Sequence, residues 1–133
     1  MPNAIYPKFK EAILQAAANT NMASTNVRAA LVDTGTYTYS AAHEFLSSLS
    51  GVVGTAQLIG SKTFVNGVFD GADVTYTAVS GNSAEAIVIY IDTGTAGTSR
   101  LVAFIDTGVT GLPVTPNGGD ISITWNASGI FAL

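Results

Sequence analysis

Three copies of Asp-Thr-Gly are the residues most able to do chemistry: Asp33-Thr34-Gly35, Asp92-Thr93-Gly94 and Asp106-Thr107-Gly108. Aspartic proteases use this tripeptide because two carboxylates can share one proton when Thr and Gly hold them in place. In a dimeric enzyme each copy would supply one of them, here Asp33. The same tripeptide is also a good turn. Asp and Thr bond the local backbone and Gly accepts positive φ. Each copy follows an apolar run, as a turn after a strand would. Three copies in one short chain fit a turn habit better than a catalytic dyad.

Other candidates carry less. His43 is the only histidine, and His43-Glu44 begins a zinc motif that fails because residue 47 is Ser. With no Cys, thiol catalysis, disulfides and thiolate metal sites are excluded. Asp70 and Asp73 flank a tight turn, but calcium needs more oxygen ligands than these two supply. Asn126-Ala127-Ser128 matches a glycosylation sequon without a secretory signal beside it. The sequence therefore predicts no enzyme, no cofactor and no resident metal.

Composition narrows the partners. The chain has 133 residues, enough for one domain and too few for two. Five Lys and Arg against nine Asp and Glu leave a net charge of −4, so direct binding to nucleic acid is not expected. The same shortage of cations argues against an anionic membrane surface. Mean hydropathy is +0.38, yet no apolar run is long enough for a membrane span. Charged residues make up only 11% of the chain. Such a surface repels neighbours weakly, which suits a subunit covered by partners.

The elements that must position these residues are mostly strands. Residues 7–18 read as an amphipathic helix, with Phe9, Ile13 and Ala16 on one stripe and Pro7 at its start. Ser40 suits an N-cap for a short helix over 41–49, ended by Gly51. Val27 to Val32 reads as a strand. From residue 52 the pattern predicts strands at 56–60, 62–65, 67–69, 73–79, 84–92, 100–106, 121–126 and 130–133. Ala86 to Ile91 is apolar on both faces, as a covered central strand must be. Turn signals such as Asn66-Gly67 and Asn117-Gly118-Gly119-Asp120 separate the strands. The expected fold is all-β, a jelly-roll-like β-sandwich over 23–133, with an N-terminal helix or arm over 1–22.

Whole stretches of the chain resemble one family. They are the opening Met1 to Leu14, Arg28 to Thr34, His43 to Leu49, Ala84 to Thr95, Ser99 to Thr107, Gly111 to Asp120, and the ending Ile121 to Trp125 with Ile130 to Leu133. Together they resemble the cement, or decoration, proteins of tailed-bacteriophage capsids. The resemblance runs the length of the chain and contains no catalytic motif. It implies a virion structural protein on the capsid exterior, made in the host cytoplasm and bound to the major capsid protein. It also implies a homodimer or homotrimer. The rival role is a tail or head–tail connector subunit; a dimeric aspartic protease through Asp33 is the rival chemistry. Tyr6, Phe9, Tyr37 and Tyr39 lie outside strong strand patterns. With Ile5 and Ile13 they are the candidate contacts to capsid or neighbouring subunits, core packing being their alternative fate. Residues 1–18 would then be a contact arm, and deleting residues 2–10 should leave the core folded.

Overall fold

A computed structural model describes residues 3–133; Met1 and Pro2 of the expected arm lie outside the described residues. Nine strands and one helix follow in order: β1 (Ala4–Ile5), α1 (Pro7–Leu14), β2 (Val27–Val32), β3 (Val52–Leu58), β4 (Val68–Phe69), β5 (Val74–Tyr76), β6 (Ala86–Ile91), β7 (Arg100–Ile105), β8 (Ile121–Ile123) and β9 (Phe131–Ala132). The fold is all-β, as the strand pattern predicts. An antiparallel five-stranded sheet runs β1-β7-β6-β2-β3, and two ribbons, β4-β9 and β5-β8, complete the sandwich.

The large sheet is covered on both sides, and the apolar runs explain why. Every residue of β6 is buried, and β2 and β7 are buried except for Arg28 and Arg100 near their starts. One face carries the row Ala30, Val88 and Phe104. Against it pack Tyr37 and Tyr39, whose rings lie 6.4 and 5.5 Å from that of Phe104. The opposite face carries Leu31, Ile87 and Ile105. Ile105 borders the same cleft as Trp125 and Ile130, so this face meets the two ribbons. The Tyr76 hydroxyl donates to the carbonyl of Ala29 at 2.7 Å and ties the layers together.

Several local expectations change. The helix stops at Leu14 rather than 18. Ala16 sits at φ 49°, and Ala17 N–H donates to Ala12 O while Ala16 N–H donates to Ile13 O. That is a left-handed helix stop, made here by Ala where Gly is usual. The helix expected over 41–49 is only a 3₁₀ turn at Leu46–Ser48. Its backbone is taken by β7 instead: Leu46 N–H donates to Ser99 O and Leu101 N–H to Glu44 O. Arg100 adds an ion pair to Glu44 at 3.2 Å and lies over the Phe45 ring. The strand expected over 62–65 shrinks to one bridge between Thr63 and Asp70, followed by a 3₁₀ turn with Asn66 left-handed.

The N-terminal segment is part of the domain. β1 pairs with β7, and Tyr6 and Phe9 are buried. Removing residues 2–10 would therefore open the core, contrary to the expectation for a separable arm.

Two buried hydroxyls set an alkaline limit on this fold. Burial pushes the Tyr6 phenol far above its ordinary value, helped by the Tyr37 hydroxyl, and burial does the same to Tyr76. A raised phenol stabilises the fold fully below the unfolded value of about 10 and loses that contribution as the pH climbs past it. Thermal unfolding should therefore be flat from neutral pH to about pH 10 and fall steadily above it. A melting temperature unchanged at the alkaline end would contradict the buried, protonated state of both groups.

Candidate interaction surface

The Asp-Thr-Gly segments are built as turns. Asp33 Oδ1 accepts from Gly35 N–H and Asp92 Oδ1 from Gly94 N–H, at 2.9 and 2.8 Å. Asp106 N–H donates to the Asn3 side chain, which fastens the chain start to the end of β7. Asp33 and Asp92 lie at opposite ends of the β2–β6 pair. The Gly35 N–H, then the Thr36 hydroxyl, hold the Asp33 carboxyl below the usual carboxylate range.

Asp70 and Asp73 are likewise in backbone service, accepting from Gly71 N–H and Trp125 N–H. Among the described residues no group of three or more His, Asp or Glu could hold a metal. Nor, among them, is any helix long and apolar enough to cross a membrane.

His43 ends a chain of hydroxyls. Tyr6 and Tyr37 oxygens are 2.7 Å apart, and the Tyr37 oxygen is 2.7 Å from His43 Nδ1. Tyr6 is fully buried, and Tyr37 is its hydroxyl partner. The Tyr6 hydroxyl, the Tyr37 hydroxyl and Nδ1 thus form one continuous chain in which either atom of each pair can donate. This relay joins the N-terminal segment to the loop over 33–45. Tyr37→Phe strands both neighbours and should cost about 1–3 kcal/mol, read as a lower urea midpoint. Tyr39→Phe, which removes a hydroxyl outside the relay, is the control and should stay near wild type. Equal midpoints for the two variants would show that the relay contributes nothing.

The six candidate contact residues separate into three groups. Tyr6 and Tyr37 are core residues, which corrects their assignment to a partner surface: each hydroxyl needs its buried partner more than exposure. Phe9 is also buried, but its ring and Ile13 border an apolar groove. Ile5 and Tyr39 are part-buried and border a second cleft beside β1.

The apolar groove is the most distinctive surface feature. It encloses about 380 Å³ between α1 and the β4-β9 ribbon, lined by Phe9, Ile13, Met22, Phe64, Phe131 and Leu133. Helix periodicity puts Phe9 and Ile13 on one face, and the Asn66-Gly67 turn swings Phe64 up beside Phe69, 5.8 Å between rings. Phe64 is 45% exposed and Leu133 68%. Leu14 on α1 and Val65 next to Phe64 are exposed as well. Four of the six large exposed hydrophobics among the described residues thus belong to the groove or adjoin its lining in sequence. Sequence reasoning found the helix side of this groove but missed Phe64 and Leu133, which lie outside the strands, Phe64 between the Thr63 bridge and a 3₁₀ turn and Leu133 just after β9, where alternation assigns no face.

Neither a protein-family model nor a curated protein matches the chain.

Proposed function

We propose that the chain is a structural subunit of a tailed-phage particle, a cement protein that binds the capsid exterior and acts by binding alone. The observation that carries this reading is the apolar groove between α1 and the β4-β9 ribbon, with Phe64 and Leu133 exposed on its lining. Monomeric proteins rarely leave such apolar residues gathered at one place unless a partner covers them. The whole-length resemblance to cement proteins supplies the partner: the major capsid protein, met by dimers or trimers of this chain. The low charge supports the same role, because close docking then strips water from few ionic groups. A cement subunit needs area, fit and repetition, and many modest contacts act together on a shell.

The test is to purify particles assembled with the tagged chain and locate it. Copies spread over the shell support cement. A ring at a single vertex would make the chain a connector, and absence from particles would remove the virion reading altogether.

A further inference from the structure

The large sheet ends at β1, and one ribbon of the facing layer ends at β9. Both strands border one cleft of about 580 Å³, with Ile5 and Ala132 on its walls and Tyr39 and Lys10 beside them. Backbone groups in an antiparallel strand alternate sides. Tyr6 N–H donates to Val102 O at 2.9 Å, so the N–H and C=O of Ile5 point away from β7. Leu133 N–H donates to Gly67 O at 3.0 Å, so those of Ala132 point away from β4. Two strand edges with unsatisfied backbone groups therefore border the same cleft, and such edges are templates for a further strand.

Charge gives the occupant its chemistry. Lys8 pairs with Glu11, Arg28 with Asp92 and Arg100 with Glu44, while Lys62 donates to the Ile59 carbonyl. Lys10 is exposed at the cleft with no such partner among the described residues. We infer that this cleft receives an extended, acidic segment of another protein, added as a strand along β1 and β9 with a carboxylate against Lys10. A second copy of this chain fits less well: its Glu11, Glu44 and Asp92 are in ion pairs, and its Asp33, Asp70, Asp73, Glu85 and Asp120 already accept hydrogen bonds from its own backbone. The inference stands apart from the virion reading and from the apolar groove.

The test uses the full chain labelled for amide NMR. The probes are three acetylated peptides of alternating Val and Thr around a central Glu, a central Lys, or a central Glu with alternate backbone nitrogens methylated. The Glu peptide should shift the amides of Ile5 and Ala132 and bind at least about threefold more tightly than the Lys peptide. Lys10→Glu lies on an exposed site and should leave the remaining spectrum unchanged while reversing that preference. The methylated peptide should not bind. Any of four results would overturn the proposal: no shifts at millimolar peptide, equal binding of the methylated peptide, shifts confined to Leu14 and Phe64, or the same shifts produced by raising protein concentration alone.

Discussion

Phe64→Asp combined with Leu133→Asp should leave the fold intact and cut the affinity for particles by about 100-fold. Leu133 is 68% exposed and Phe64 45%, so the double variant leaves the sheets intact and gives up in the free chain chiefly the contact of Phe64 with the Phe69 ring. In a covered groove each would bury apolar area worth roughly 1.5–3 kcal/mol. Aspartate at both positions removes that gain and places charge against an apolar wall, so a loss near 3 kcal/mol is a conservative expectation. The measurement is the occupancy of particles titrated with wild-type or variant protein, beside matched melting curves. Full occupancy by the folded variant would mean that the groove is not the capsid-facing surface.

Ile89→Ala should be the most damaging of the stability variants, and it should act on folding alone. Ile89 lies in the middle of β6, paired with Ala29 of β2 and Ala103 of β7, and is fully buried. Small neighbours on both sides leave the isoleucine to fill the space between the layers. Truncation should cost about 2–5 kcal/mol, because a rigid sheet cannot collapse into the cavity. That is a large part of the roughly 5–15 kcal/mol total for a domain. Ile89→Val should lose about 0.5–1.5 kcal/mol. Chemical denaturation of the pair reads the ratio directly. Comparable small losses for both would mean that β6 is loosely packed and not the centre of the core.

What the sequence revealed depended on how far each segment's fate was decided locally. β6 was legible because a six-residue apolar run buried on both faces has no other use, and β2 because its run is apolar apart from Arg28 near the start. The turns at Asn66-Gly67 and after each Asp-Thr-Gly were legible because their residues carry the required φ or the required acceptor. The helix expected over 41–49 failed for a tertiary reason. Glu44 and Leu46 bond to β7, an interaction across more than fifty residues that no window contains. β1 was missed because two residues make no pattern, and the left-handed Ala16 because alanine normally continues a helix.

The candidate surface was half legible for a related reason. Helical spacing marks Phe9 and Ile13 as one face without saying whether the protein itself covers it. Phe9 turned out to be buried while Ile13 borders the groove. Tyr6 and Tyr37 looked available because they lie outside strands. A pair of hydroxyls 2.7 Å apart in the core is invisible without coordinates. Phe64 and Leu133 became a surface only when the β4-β9 ribbon brought them beside α1.

A reconstruction of the assembled particle by electron cryo-microscopy tests the central claim most directly. The account predicts this chain repeated over the outer shell, with Phe64 and Leu133 turned toward the capsid protein. A shell without the chain, or one bearing it with that groove facing solvent, would contradict it.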